Sequence, residues 1–218
     1  MDSFNSIMLL PSYFDRDPIV IAKGLLGKVI HVHYQNKWLR ARIIETEAYY
    51  LEDKASHASL GYTDKRRALF MPAGTIYMYY ARGGDSLNIS CRGEGNAVLI
   101  KSAYPYAETE TQRQQQIRIM QKLNPTKDLN KMRSEEKLCN GQTLLCRSLN
   151  LKVPEWNTKL FDKKTFYIAD LDLKVRKIIQ TTRLGIPKGR DEELPYRFID
   201  QDFNYACSKP VPLRLITD

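Results

Sequence analysis

Two glutamates interrupt a segment that otherwise has the composition of a buried β-strand, and they restrict what this chain can fold into. Residues two apart on a strand point to the same side, so Glu45 and Glu47 are predicted to share a face. The same alternation adds Tyr49, Ile43 and Ala41 to that face. An ionised carboxylate is costly to bury alone, so each glutamate is either paired with a cation or kept for chemistry. The pattern leaves both readings open, a salt-bridged strand end and a catalytic carboxylate.

The length and composition indicate one globular domain. With 218 residues, of which 43% are hydrophobic and 27% charged, the chain is long enough to build one large core. A short apolar run at residues 19–22 ends at Lys23, and no run approaches the length of a membrane span. The N-terminus lacks a basic segment followed by an apolar one, so we predict no secretory signal and expect the protein inside the cell.

The charge balance points to a polyanionic partner. Lys and Arg total 34 against 25 Asp and Glu, which gives a formal net charge of +9 and a pI of about 9.3. Such an excess suits nucleic acid, and a protein that is merely basic is the alternative.

The cysteines and histidines do not form a metal-binding pattern. The cysteines are widely scattered and show no C-x-x-C spacing, which predicts free and mostly buried thiols; they are Cys91, Cys139, Cys146 and Cys207. His31 and His33 share one face of a predicted strand, but a third ligand is missing from their neighbourhood in the sequence. We therefore predict no metal site.

The apolar periodicity predicts a chain of short strands with a few helices. Strands are predicted at 29–34, 38–47, 75–80, 87–90, 97–103, 166–169, 178–183 and 195–199. Helices are predicted at 18–26, 108–123, 134–139 and around 144–149, and residues 150–165 are predicted to be a loop. Residues 35–37 should join the first two strands as a hairpin.

Three features of this pattern could serve binding. Tyr77 and Tyr79 share a strand face, and this aromatic density exceeds what a sheet requires. The adjacent cations Lys65, Arg66 and Arg67 are either a solvated charge run or a contact to phosphates. The glycine-bearing turn at 184–190 would let the backbone approach a ligand closely.

Several motifs occur in an order that carries a resemblance. They are Glu-Thr-Glu-Ala-Tyr at 45–49 with His57 downstream, Pro-x-Gly-Thr-x-Tyr-x-Tyr at 72–79, Leu-Asn-Ile-Ser at 87–90, and the segments 97–101, 137–141, 145–146, 182–186 and 197–198. With these motifs the chain resembles the alkyladenine (3-methyladenine) DNA glycosylase family over roughly residues 10–203.

The resemblance implies a monofunctional DNA glycosylase of base excision repair. Such an enzyme flips alkylated or deaminated purines, such as 3-methyladenine and hypoxanthine, out of double-stranded DNA and hydrolyses the N-glycosidic bond. It implies no metal and no cofactor, and we expect a monomer with no membrane association. The expected location is the cytoplasm, near the nucleoid, or the nucleus if the source is eukaryotic.

The resemblance also assigns roles at the reacting centre. Glu47 matches the family's acidic residue, which activates a water for attack at C1′ and stabilises positive charge on the sugar. Glu45 is left with a structural role. Tyr49, His57 and Tyr79 match the walls on which the flipped purine stacks.

Other matched positions concern selectivity and DNA contacts. Asn88 stands where the family crowds the 2-amino group of guanine. The backbone N–H of Leu184 matches a group that reads the purine edge. Lys101 stands where relatives can carry Arg, and its positive charge is expected near a phosphate.

The segment 80–85 departs from the family pattern. Many relatives carry there a longer, apolar hairpin whose tip fills the gap left by the flipped base. In this chain Tyr80 and Arg82 are the candidates for the wedge.

We therefore predict an α+β fold, in which residues 1–218 form a single mixed domain with a curved, mainly antiparallel β-sheet and peripheral helices. The predicted activity is DNA glycosylase. Two alternatives are a non-catalytic nucleic-acid-binding protein on the same fold and an enzyme that hydrolyses free nucleosides.

Overall fold

A long central strand, β3 (Lys37–Tyr49), organises the molecule, which is described here from a computed structural model covering residues 7–81, 83–128 and 130–212. The other strands of these ranges are β1 (Ile7–Met8), β2 (Val29–Tyr34), β4 (Ile76–Ala81), β5 (Gly84–Ser90), β6 (Ala97–Pro105), β7 (Phe166–Asp170), β8 (Ile178–Thr181) and β9 (Arg197–Asp200). The helices are α1 (Pro11–Phe14), α2 (Pro18–Leu25), α3 (Glu110–Leu123), α4 (Glu135–Leu138), α5 (Gln142–Ser148) and α6 (Val153–Trp156). Short 3₁₀ helices occupy Ala58–Leu60, Asp64–Phe70 and Gln201–Ala206.

The strands form one antiparallel sheet in the order β1-β7-β2-β3-β6-β5-β4, and β9 joins it beside β3 and carries β8. The strand β3 pairs with β6 along one edge, and with β2 and then β9 along the other. The β2–β3 hairpin turns through Gln35 and Asn36, whose φ angles of 47° and 58° suit a two-residue hairpin loop. The sheet curls and the helices lie around it, so the predicted α+β fold is confirmed.

A β-bulge in β3 corrects the predicted face of the two glutamates. The pairing between β3 and β6 shifts register between Ile43 and Glu45 and again before Thr46. As a result Ile43 packs in the main core, and Thr46 points to the same side of the sheet. The Thr46 hydroxyl donates to the carbonyl of Ala22 in α2 at 2.8 Å. A bulge adds one residue to a strand and so reverses the alternation beyond it. Glu45 and Glu47 therefore share a face with each other but face away from Ile43, so the prediction that Ile43 and Ala41 share this face was wrong.

The helix α2 packs on β3 and closes this side of the core. Asp17 caps its first turn by accepting from the N–H groups of Ile19 at 2.8 Å and Val20 at 3.3 Å. Its buried face contributes Ile21 and Leu25 to a core in which aliphatic side chains dominate. This packing holds β3 in place, and the residues on its opposite face form the site.

Two segments differ from the predictions. Residues 150–165, predicted to be a loop, contain the short helix α6. Pro154 is tolerated in its first turn, because a backbone N–H at that position would have no partner within the helix. The strand β5 begins at Gly84 rather than 87, since Ala81 pairs with Gly84 in a tight hairpin. The remaining predicted strands and helices are present with small shifts of their ends.

The four cysteines and one of the histidines lie in the protein interior. All four cysteines are buried and free, as predicted. His31 is buried and stacks on Tyr167 with ring centroids 4.5 Å apart. No group of three or more potential metal ligands occurs in the described part of the chain. Among the described residues no helix is long and apolar enough to cross a membrane.

Candidate active site

A cavity of about 650 Å³ opens on the face of the sheet that carries the two glutamates. Its walls come from β3, β4, β5 and β6, from the loop around His57, from the turn after Arg183 and from the start of α5. A cavity of this size accommodates a small molecule or a nucleobase with its sugar. The lining residues that the site uses are Tyr49, His57, Leu60, Tyr77, Tyr79, Asn88, Lys101, Leu184 and Arg190.

Glu47 lies immediately behind this wall and is fully buried. Its Oε2 accepts from the hydroxyl of Tyr49 at 2.8 Å, and its Oε1 accepts from the N–H of Leu184 at 3.1 Å. The ammonium of Lys101 lies 3.3 Å from Oε1 and 3.4 Å from Oε2. Three donors thus hold an ionised carboxylate in one orientation, and the three residues that supply them line the cavity.

Tyr49 is held between Glu47 and a buried arginine. The guanidinium of Arg183 lies 4.6 Å from the centroid of the Tyr49 ring. Arg183 is anchored by Asp53 at 2.6 Å and by the carbonyl of Ala48 at 3.1 Å. Burial, and then the neighbouring Glu47 carboxylate, raise the pKa of the Tyr49 hydroxyl well above its usual value. The phenol therefore stays protonated through the neutral range and acts as a donor.

His57 and two tyrosines form an aromatic corner of the cavity. The His57 ring meets the Tyr79 ring edge to face, with centroids 4.2 Å apart, and its Nδ1 lies 3.0 Å from the Tyr77 hydroxyl. Burial lowers the pKa of His57, and the charges of Arg66 and Arg190 lower it further. The imidazole is therefore neutral at neutral pH.

The structure brings most of the candidate residues into one place. Tyr49, His57, Tyr79, Asn88, Leu184 and Lys101 all line the cavity. Asn88 is buried and donates to the Tyr77 carbonyl at 3.2 Å. The backbone N–H of Leu184 was expected to read the purine edge. In the structure it donates its one hydrogen to Glu47, so it is not free to bond a purine.

Those of the remaining candidates that the structure describes do not line the cavity. Lys65 and Arg67 are exposed, whereas Arg66 is half-buried and donates to the carbonyls of Leu60 and Gly61. Tyr80 is 62% exposed next to the cavity residue Ala81. Arg82 lies outside the described residues.

Glu45 lies on the same strand face but in a closed environment. It accepts from Arg197 Nε at 2.6 Å, from Ser102 Oγ at 2.5 Å, and from the N–H and hydroxyl of Ser208 at 2.8 and 2.7 Å. Four short hydrogen bonds fill its acceptor positions, which explains how a second carboxylate can be buried there.

Sequence reasoning missed Arg183, which supports Tyr49 from behind. The residue belongs to the motif at 182–186, but an arginine beside a glycine turn looks like a surface cation. Its partners Asp53 and Ala48 are about 130 positions away in the sequence, so spacing could not have found them.

A buried carboxylate behind an aromatic cavity, on a basic α+β protein, is an arrangement suited to an enzyme that acts on a nucleobase. The sequence model of the family described as methylpurine-DNA glycosylase matches residues 12–204. The chain belongs to this family. It is therefore a hydrolase, a DNA-3-methyladenine glycosylase by family, and it acts on DNA in base excision repair.

Curated relatives agree with this assignment. A protein of Pseudomonas aeruginosa strain LESB58 named "Putative 3-methyladenine DNA glycosylase" is 55% identical over 203 residues, which are 93% of this chain and 84% of the relative. A protein of Pseudomonas fluorescens Pf0-1 with the same name is 54% identical over 94% of this chain and 88% of its own length. A protein of Clostridium beijerinckii with that name is 30% identical over 93% of this chain and its full length.

Proposed function

We propose that the enzyme flips a damaged purine out of duplex DNA into the cavity and hydrolyses its N-glycosidic bond with one activated water. The observation that carries this proposal is the buried Glu47 carboxylate, held by three donors directly behind an aromatic cavity of about 650 Å³. A flipped nucleotide would place its base among the aromatic rings and its C1′ toward the carboxylate.

In the proposed reaction Glu47 takes a proton from water while the water oxygen bonds to C1′. The bond between C1′ and the purine nitrogen breaks, and the base leaves with the bonding electron pair. Positive charge develops on the sugar ring, and the negative carboxylate stabilises it. The water would bind at the cavity wall between Tyr49 and Lys101, which are the two side chains that both touch Glu47 and line the cavity.

The purine is proposed to stack between Tyr49, His57 and Tyr79. Their faces suit any flat base, and a neutral His57 does not repel a cationic alkylated purine. Asn88 would crowd the 2-amino group of guanine and so exclude the undamaged base. We assign the Leu184 N–H to orienting Glu47, because it already donates to that carboxylate.

The DNA contacts are proposed at the rim. Lys65 and Arg67 are exposed cations for backbone phosphates, and Lys101 can offer a phosphate the ammonium hydrogens that Glu47 does not take. Tyr80 and Arg82 remain the proposed wedge of the β4–β5 hairpin. We further propose that the chain acts as a monomer and forms one glycosylase domain.

A lesion panel tests this proposal. Purified protein is incubated with duplex and single-stranded oligonucleotides that contain 3-methyladenine, hypoxanthine, 7-methylguanine or ethenoadenine, and alkali then cleaves the abasic sites. We expect strand cleavage with 3-methyladenine and hypoxanthine. Retarded duplex on a gel without any alkali-labile strand would instead identify a non-catalytic binder.

Hydrolysis of free nucleosides is the other alternative, and salt distinguishes it. Binding to a polyanion weakens steeply with salt because counterions are released, whereas binding of a neutral nucleoside does not. Excision that falls as salt rises therefore supports the DNA substrate.

A further inference from the structure

Two large apolar side chains are exposed to water, one on the rim of the cavity and the other two residues further along the chain. Leu60 lines the cavity and is nevertheless 59% exposed, so it stands on the rim. Tyr62, two residues further on, is 57% exposed. Large apolar groups that stay in water next to a binding site commonly mark a contact surface.

The loop that carries them is held in a defined shape. Leu60 ends the 3₁₀ helix that follows His57, and Gly61 turns the chain with a φ of 79°. Arg66 donates to the carbonyls of Leu60 at 3.0 Å and Gly61 at 2.8 Å. The Tyr62 ring packs edge to face on Phe70 with centroids 5.5 Å apart. A preformed tip loses little conformational entropy when it binds.

The surroundings of this tip suit DNA better than another protein. Lys65 and Arg67 are exposed within a few residues of Tyr62, on a chain with a net charge of +9. Apolar side chains flanked by cations match a base stack flanked by phosphates. The tip also adjoins the cavity that would receive the base.

We propose that Leu60 and Tyr62 form an apolar wedge that enters the base stack beside the extruded nucleotide. This inference rests on the proposed base flipping. Extrusion leaves a gap and interrupts stacking, and an inserted apolar side chain restores contacts on both sides of the gap. Leu60 enters the gap from the cavity mouth, where it stands, and Tyr62 packs against the neighbouring base.

The wedge is additional to the β4–β5 hairpin. In that hairpin Ala81 pairs with Gly84, and Tyr80 is 62% exposed. The β4–β5 hairpin and the Leu60–Tyr62 wedge belong to separate segments of the chain, so their substitutions can be tested independently.

The test compares two duplexes that differ only in the gap. One carries a tetrahydrofuran abasic analogue and the other is undamaged, and dissociation constants for both are measured at one salt concentration. For the double variant Leu60→Ala/Tyr62→Ala, the preference for the gapped duplex should fall about tenfold relative to the unsubstituted protein, which corresponds to about 1.4 kcal/mol. A variant at two exposed apolar residues outside the cavity lining, Leu160→Ala/Met132→Ala, should keep the preference.

A charge variant separates stacking from phosphate attraction. Lys65→Ala/Arg67→Ala should weaken binding to both duplexes alike, lower the salt dependence, and leave the preference for the gap intact. An unchanged preference in Leu60→Ala/Tyr62→Ala overturns the wedge. An equal loss on both duplexes also overturns it, because the side chains would then support general binding.

The same assay keeps this inference separate from the proposed chemistry. Binding to the abasic analogue requires no bond cleavage, so the wedge can be judged even if no lesion is excised. Conversely, excision of hypoxanthine with an unaltered gap preference in the double variant upholds the glycosylase and removes the wedge.

Discussion

Glu45 and Glu47 lie two residues apart on one strand face, and both are fully buried. Their surroundings nevertheless differ in kind. Glu45 is enclosed by Arg197, Ser102 and Ser208, with donor distances of 2.5–2.8 Å. Its four short hydrogen bonds occupy both carboxylate oxygens, and of the residues that make them only Ser208 borders the cavity.

Glu47 is held less tightly, by a phenol, a backbone N–H and an ammonium at 2.8–3.4 Å. The donors Tyr49, Leu184 and Lys101 all line the cavity, so each partner of the carboxylate connects it to the place where a substrate would bind. The comparison teaches that burial alone does not separate a catalytic acid from a structural one. What separates them is how many of the donors contact the cavity: all three that hold Glu47 do, whereas of the residues that hold Glu45 only Ser208 does.

The largest effect should follow from Glu47→Gln. The amide keeps the size of the side chain but cannot take a proton from water, so excision should fall by about 10²- to 10⁴-fold, the usual contribution of a general base. Release of hypoxanthine from duplex DNA measures the loss, and a gel-shift assay should show that binding survives. Full activity in this variant would remove Glu47 as the base.

The matched change Glu45→Gln should act on stability. It leaves the Arg197 guanidinium buried without its carboxylate, and breaking a buried pair in this way costs about 3–5 kcal/mol. Urea unfolding measures that loss. Glu47→Gln should unfold at nearly the same urea concentration as the unsubstituted protein, because its partner Lys101 borders the cavity and is not left as a fully buried charge. If Glu45→Gln is as stable as the unsubstituted protein but equally inactive as Glu47→Gln, the two carboxylates do not have separate roles.

The sequence could predict part of this contrast. Two-residue alternation places Glu45, Glu47 and Tyr49 on one face, and the structure agrees. Alternation could not predict the bulge after Ile43, because a register shift depends on which residues of β6 pair with β3. Neither could it supply the partners of Glu45, since Arg197 is 152 residues away. The resemblance ranked the two acids, and the three-dimensional contacts give the physical reason for the ranking.

A smaller effect is expected from Tyr49→Phe. The ring and its contact with Arg183 remain, but the hydrogen bond to Glu47 Oε2 is lost. Hydrogen bonds to a charged group contribute about 1.5–3 kcal/mol, so excision should fall by about 10- to 100-fold. Single-turnover rates measure this loss, and Tyr77→Phe, which removes a hydroxyl that does not touch Glu47, is the control. Equal losses in both variants would show that the hydroxyl does not act through Glu47.

The smallest effect concerns pH and separates the stability of the fold from the activity of the site. Burial, and then the charge of Arg40, lower the pKa of His31 to about 4. The unfolded chain therefore takes up this proton first, near the usual histidine value, and the free energy of unfolding falls as pH decreases from about 6.5 towards about 4. At pH 5 the loss should be about 2 kcal/mol relative to pH 7.5.

In His31→Phe, which keeps an aromatic ring against Tyr167, this part of the pH dependence should disappear. His31 does not line the cavity, so excision at pH 7.5 should be retained. Glu47→Gln should show the reverse, an unchanged loss of stability at pH 5 and the strongly reduced excision predicted above. Urea unfolding at the two pH values measures both proteins, and an equal loss in His31→Phe would mean that other groups destabilise the fold in acid.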